Sequence, residues 1–377
     1  MRRLTYCTNI HPGESWADVR ANLESHLIAV KAGVSPTEAF PIGLRLSAQA
    51  VDELTDEESR RFREWCEVND LYVLTVNGFP YGRFHGTSVK ERVYEPDWRS
   101  KERVAYTRGI ADRLVEWLPE GVPGSISTAP IAFTNGFAED DWPHVRANVR
   151  AAVEHLDDLA QRHGRSIVLA FEPESACVVE TTEQAVELFD RLALPPALAS
   201  RAGLCFDCCH QAVEFEDPAE SLRTIQAAGI VIGKVQVSSA LHAHGEEIER
   251  LLQFDEPTYL HQVVARDVDG ALHRAADLPE FFGGNGRGRD ASTRSSIEEC
   301  RVHFHVPIFA EHLGPCGTTR FFLEDVLPRL DPAIPLEVET YSFDVLPEDL
   351  RMSSVGDSIV RELRWARQRI DASHGRP

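Results

Sequence analysis

The chain has 377 residues, with 60 Asp and Glu against 39 Lys and Arg; its formal net charge of −21 disfavours a nucleic-acid phosphate backbone as partner. Hydrophobic residues make up 43% and charged residues 26%, a globular balance, and no stretch has the uninterrupted apolar length that crosses a bilayer. Nucleic-acid binding and membrane insertion are therefore not expected, and a small-molecule metabolite or a bound cation is the fitting partner. Two arginines in the opening MRRLTYCTNIHPGES have no apolar core behind them, and eight cysteines without a signal read as reduced thiols, which together predict a cytoplasmic protein. A homo-oligomer is compatible with this composition.

Leu4–Asn9 reads as a short strand, and Trp16, Val19, Leu23, Leu27 and Val30 follow helical spacing to a stop at Gly33. Ile42–Leu46 is a second strand, followed by a helix whose head carries a predicted capping box of Thr55 and Glu58. A third strand, Leu71–Val76, runs into the loop Asn77–His85 and then a helix over Ser100–Leu118. Gly124–Pro130 is a fourth strand, and the amphipathic helix from Trp142 to Gly164 opens with Pro143. The fifth strand, Ile167–Phe171, stops at Glu172, after which Thr181 and Gln184 predict another capping box. The sixth ends on Asp207 with His210 three residues on, and the seventh carries Gln236.

From Leu241 to Cys300 the βα rhythm breaks. Tyr259–Val264 and Ala271–Ala275 read as a hairpin turning at Asp269-Gly270, and the Gly-, Arg- and Ser-rich Phe282–Glu298 as a mobile loop. Order returns in Val302–Phe309, an additional strand-like segment carrying His303 and His305, then in a helix over Thr318–Leu330 and a last strand, Leu336–Thr340, carrying Glu337 and Glu339. A final helix runs to about Ile370, before a frayed tail. Eight βα units predict an α/β fold of one domain over 1–377, a (β/α)8 TIM barrel with a long insertion at about 241–300, after the seventh strand.

Parallel barrel strands bring their C-terminal ends to one mouth, where barrel enzymes keep their chemistry. Glu172, Asp207 and Glu339 together there require neutralisation, because a buried carboxylate without a partner costs several kcal/mol, and a divalent cation answers that need. His210, His303 and His305 are further candidate ligands; His85 and Glu174 are candidate substrate contacts. Gln236 offers an amide oxygen, which suits Mn²⁺ or Mg²⁺ better than Zn²⁺, so the metal's identity stays open. Cys205-x-x-Cys208 has no second pair and reads as core or support.

A Glu, then Asp-x-x-His, then Gln or His, then a His-containing segment and a final Glu, each after successive strands, resembles the xylose-isomerase-like barrel superfamily of sugar isomerases, ketose epimerases and the endonuclease IV group. More closely, LTYCTNIHPGESW, NGFPYGRFHG with VKERVYEPDW, SSALHAHGEE, VHFHVPIF and LEVETYSF look like the EboE family of metabolite-traffic proteins. The resemblance implies a shared metal site of Glu172, Asp207, Gln236 and Glu339, with Gln236 standing where many relatives place histidine. It implies that His210, His303 and His305 match the additional metal-binding set of the endonuclease branch.

Three functions are open at this point. The first is metal-dependent isomerisation or epimerisation of a small polyhydroxylated or carbonyl-bearing metabolite, with Glu172 or Glu339 moving the proton. The second is phosphoester hydrolysis at the same mouth, and the third is metabolite binding or traffic without turnover.

Overall fold

A computed structural model describes residues 3–84, 90–283, 296–344, 346, 351 and 354–374. The barrel strands are β1 (Leu4–Tyr6), β2 (Phe40–Arg45), β3 (Leu71–Asn77), β4 (Gly124–Thr128), β5 (Ile167–Phe171), β6 (Ala202–Asp207) and β7 (Val231–Val237). An insertion then supplies β8 (Leu241–His244), β9 (Val263–Asp267), β10 (Leu272–Ala275), β11 (Ile297–Val302), β12 (His312–Leu313) and β13 (Cys316–Thr318). The chain returns to the barrel in β14 (Leu336–Val338).

The eight barrel strands are parallel in the order β1-β14-β7-β6-β5-β4-β3-β2, a nearly closed TIM barrel. At the remaining seam between β1 and β2, Pro41 has no N–H to give and the pairing is reduced to a bridge between Cys7 and Gly43. Thr5 closes the gap with its side chain: Oγ1 donates to Pro41 O at 2.7 Å and accepts from Gly43 N at 3.2 Å.

Helices pack outside the barrel where their sequence patterns predict. Ser100 caps Lys101–Trp117, Pro143 lies in the first turn of Trp142–His163, and Thr181 and Gln184 form both halves of their capping box. The Thr55 box is only half made: Thr55 accepts from Glu58 N, but the Glu58 carboxylate accepts from Trp16 Nε1 at 3.3 Å instead of reaching back. Gly33 does not stop the first helix, which runs on to Val34. Its role is close packing, since a Cβ there would lie 2.9 Å from Val360 of the C-terminal helix Val355–His374.

The predicted extra strand is the main departure from the sequence reading. β11 ends at Val302, and His303–Phe309 is irregular, because β11 runs antiparallel between β9 and β8 and not in the barrel. It belongs to a six-stranded antiparallel sheet, β10-β9-β11-β8-β13-β12, with an apolar core of its own around Leu251, Phe254, Phe281 and Val302. A hairpin turns at Gly270, φ +86°, as expected, but its first arm is β9 at Val263–Asp267 and not Tyr259–Val264, and it pairs with β10. Most of the segment predicted as a mobile loop lies outside the described residues. Among the described residues no helix is long and apolar enough to cross a membrane, and all eight cysteines are buried free thiols.

The segment after β11 is tied on both sides: His303 N donates to Gln262 O, just before β9, and Val306 N to Ser239 O, just after β7, each at 2.9 Å. That stitching, not strand pleating, sets the direction of His303 and His305.

Candidate metal centre

Each barrel strand that reaches the mouth ends on a polar side chain. Asn77 closes β3, Glu172 follows β5, Asp207 closes β6, Gln236 precedes the last residue of β7, and Glu339 follows β14. Gln236 stands in register with both Asp207 and Glu337. Glu172, Asp207 and Glu339 place carboxylate oxygens within 4.8 Å of one another.

Beneath them lies a buried polar layer that keeps its own charge balance. Lys234 Nζ donates to Glu337 Oε2 at 2.5 Å and to Asn77 Oδ1 at 2.6 Å, and Asn77 Nδ2 donates to Glu337 Oε1 at 3.0 Å. Burial, the largest single influence, lowers the Lys234 pKa, but Glu337 and the other acidic groups around it together outweigh burial and keep the ammonium charged. Gly43 makes room for the pair, since a Cβ there would lie 1.8 Å from Glu337 Oε1. The pair explains why Glu337, deeper in the barrel, is not part of the crowded set.

The upper carboxylates have no such counter-charge in contact. Burial, then Glu339 and Asp207, push Glu172 well above the usual carboxylate range. Burial, then Asp207, push Glu339 up to about 8, and burial also raises Asp207. Asp207 Oδ1 caps the short helix Cys208–Val213 by accepting from His210 N at 2.8 Å, and it accepts from Ser238 Oγ at 2.9 Å. Its Oδ2 is buried without a partner, as are Gln236 Oε1, Asn9 Oδ1 and His305 Nε2.

The three histidines share one orientation. His210 Nδ1 faces Pro173 O at 2.9 Å, His305 Nδ1 faces Glu339 O at 2.9 Å, and His303 Nδ1 faces Gln262 Oε1 at 2.8 Å. A main-chain carbonyl only accepts, and Gln262 is oriented by its Nε2, which donates to Tyr94 Oη and Glu174 Oε1, each at 3.0 Å. Each Nδ1 therefore carries the ring proton and each Nε2 presents a lone pair to the site, the tautomer a metal-binding imidazole needs. Burial lowers all three pKa values, that of His305 to about 4, so the rings are neutral. Ligand atoms of Asp207, His210 and His305 lie within 4.8 Å of one another, as do those of Glu174, His210 and His303.

The expected residues thus gather at one mouth, with two differences of role. Glu174 is occupied by Tyr94 Oη at 2.6 Å and lies 3.3 Å from His303 Nδ1, so it braces the site. Gln236 is fully buried, with Nε2 donating to Asn77 Oδ1 at 3.0 Å and Oε1 left over. His85 lies outside the described residues. Asn9, Asn77, Lys234, Tyr94, Gln262 and Tyr341 were missed; Asn77 was findable as another polar strand end. Tyr259, Leu260 and Gln262, at the entrance to the hairpin, line the cavity, whereas the turn at Gly270 does not.

A separate group of His242, His244 and Glu299 on β8 and β11 also has ligand atoms within 4.8 Å. Glu299 there already accepts from Arg266 and Arg301, so two cations fill the place of a metal.

The family model described as "Xylose isomerase-like TIM barrel" matches residues 28–272. Among solved structures, a xylose isomerase-like TIM barrel protein from Mycobacterium smegmatis in complex with magnesium aligns with TM-score 0.55 at 11% identity, covering 99% of this chain and 98% of that one. An L-ribulose 3-epimerase aligns with TM-score 0.51 at 12% identity, covering 99% and 96%. A D-psicose 3-epimerase with D-tagatose from Clostridium cellulolyticum H10 gives 0.50 at 14%, covering 99% of each chain. At these identities the likeness concerns the fold. No curated protein matches the chain.

Proposed function

Since the chain belongs to the xylose isomerase-like TIM barrel family, we propose that its mouth is a metal-dependent isomerase or epimerase site for a small hydroxy-carbonyl metabolite. The observation that carries this is the donor set: three crowded carboxylates and three imidazoles whose Nε2 atoms face the site, that of His305 without a partner, beside the partnerless buried oxygens of Asp207 and Gln236. These residues fit a divalent cation. Glu172, Asp207 and Glu339, with the Gln236 oxygen, would hold it, and Asp207 with His210 and His305 forms an adjoining set of donors. When bound, such an ion supplies a Lewis acid for adjacent substrate oxygens.

The chain's own residues do the rest. Glu172 or Glu339 takes the proton from the carbon beside the substrate carbonyl and returns a proton to the neighbouring carbon or to the other face. Asn9 Nδ2 donates to Glu339 Oε1 at 2.6 Å and steadies that carboxylate. The aromatic walls limit water at the reacting carbon. Within the family, the sequence blocks around His11, Tyr81, His242, His303 and Glu339 support placement in the EboE group, with a role in making or moving a metabolite.

The phosphoester hydrolase reading has less support, because the described cationic side chain on the cavity wall, Lys90, is held by Asp277 at 2.7 Å. Elemental analysis of the purified chain, followed by deuterium uptake from D2O at the α-carbon of ketoses and simpler hydroxyketones, tests the proposal. Metal-dependent uptake is expected. Tight metal with no uptake from any hydroxyketone would leave binding without turnover as the function.

A further inference from the structure

Asn77 reaches across the barrel. In the strand order β3 stands opposite β7, with three strands between them by either route, yet the Asn77 side chain at the end of β3 meets both Lys234 and Gln236 of β7. All of these groups, with Glu337 and Ser127, are buried.

Their donors and acceptors admit one arrangement. An ammonium only donates, so Lys234 Nζ at 2.6 Å identifies the Asn77 atom beside it as the oxygen; a carboxylate only accepts, so Glu337 Oε1 at 3.0 Å identifies the other as the nitrogen. Ser127, in register with Asn77 on the neighbouring strand, donates through Oγ to the same oxygen at 3.0 Å. That oxygen calls for a donor from Gln236 as well, and Gln236 Nε2 supplies it at 3.0 Å. Reversing the Gln236 amide would set two carbonyl oxygens against each other in a buried place, a costly mismatch. Gln236 Oε1 is therefore the atom left over, and among the described residues it has no partner. With three donors on it, Asn77 Oδ1 has no lone pair left for a cation.

We infer that Asn77 is a positioning residue: anchored by the Lys234–Glu337 ion pair, it fixes the Gln236 amide so that its oxygen is the atom offered to the cation. This rests on the reading of the mouth as a metal site. It also explains why Asn77, a polar strand end like Asp207, stays out of the donor set while governing one of its members.

The probe is Mn²⁺ alone, or Zn²⁺ if the parent takes up only that ion, with affinity for the full chain read by competition against a fluorescent chelator. Asn77→Ala should lower affinity by about 10–100-fold, the usual loss when a group that orients a ligand is removed. Gln236→Met, which keeps the length of the side chain without its oxygen or N–H, should cost a similar factor. Adding Asn77→Ala to Gln236→Met should then cost less than about threefold more, because nothing remains for Asn77 to orient. Unchanged affinity in either single variant overturns the inference, as does a full further loss on the Gln236→Met background, which a purely structural role would give. A crystal structure of the metal-loaded parent decides the matter even if Asn77→Ala does not fold. Gln236 Oε1 on the ion with Asn77 off it upholds the inference; Gln236 off the ion, or Asn77 on it, overturns the inference while leaving the metal site standing. A parent that takes up neither ion rejects the metal reading itself, and the inference with it.

Discussion

His210 Nε2 and His303 Nε2 face each other at 3.2 Å, although the acceptors behind both rings place each ring proton on Nδ1. Two lone pairs at that distance repel unless something electron-poor lies against both, which is why the pair reads as half of a metal centre. Gln262 fixes one of the two tautomers with a side chain, whereas Pro173 fixes the other with main chain. Gln262→Leu should therefore weaken metal binding by about 10–100-fold, the usual loss on removing a group that orients a ligand histidine. Competition against a fluorescent chelator measures this, and unchanged affinity would reject the tautomer argument.

Glu337 and Glu339 lie two residues apart but face different partners, so their substitutions should separate. Glu339→Gln should lower metal content and leave the metal-free protein as stable or more so, because it relieves crowding with Glu172 and Asp207. Glu337→Gln should instead destabilise the fold by roughly 3–5 kcal/mol, since it strands the Lys234 ammonium. The double variant Lys234→Met/Glu337→Gln should recover much of that loss. Denaturant melts of the metal-free proteins decide it, and additive losses in the double variant would count against the pair.

The barrel was legible because β-branched runs and amphipathic helices alternate, and because buried strands end on Glu172, Asp207 and Glu339. The insertion was legible only as an interruption. Its sheet pairs β11 with β9 and β8 across long loops, and such register depends on partners that local periodicity does not reveal. His303 and His305 were found for an insufficient reason: strand alternation put them on one face, whereas contacts to Gln262 O and Ser239 O direct them. Lys234 was missed because a lysine within an apolar run reads as a surface edge until its carboxylate, 103 positions away, is known.

Metal loading should release protons. With Glu339 pushed up to about 8 and Glu172 higher than its usual range, the metal-free site holds protons at neutral pH that a cation must displace. Apparent affinity should therefore rise as pH rises toward about 8, and the binding enthalpy at pH 7 should vary with the ionisation enthalpy of the buffer. Calorimetry in two buffers checks this; identical enthalpies and a flat affinity profile would mean that the carboxylates are already ionised.

Glu362 gives a pH dependence of stability that is separate from the ligand set. It is 1% exposed, and its Oε1 accepts from Thr340 Oγ1 at 2.7 Å and from Ile308 N at 3.1 Å, so the C-terminal helix pins the segments that follow Glu339 and His305. Burial pushes its carboxyl up to about 7. A folded-state pKa above the unfolded one means that the folded chain binds more protons between the two values. The stabilisation is thus fully present below the unfolded value near 4.5 and is lost as pH rises through about 7. The loss is at most roughly 3 kcal/mol. Glu362→Gln keeps the accepting oxygen and cannot ionise, so its melting temperature should fall less than that of the parent between about pH 5 and 8. Metal-free melts across that range test it, and parallel profiles for the two proteins would show that Glu362 does not titrate there.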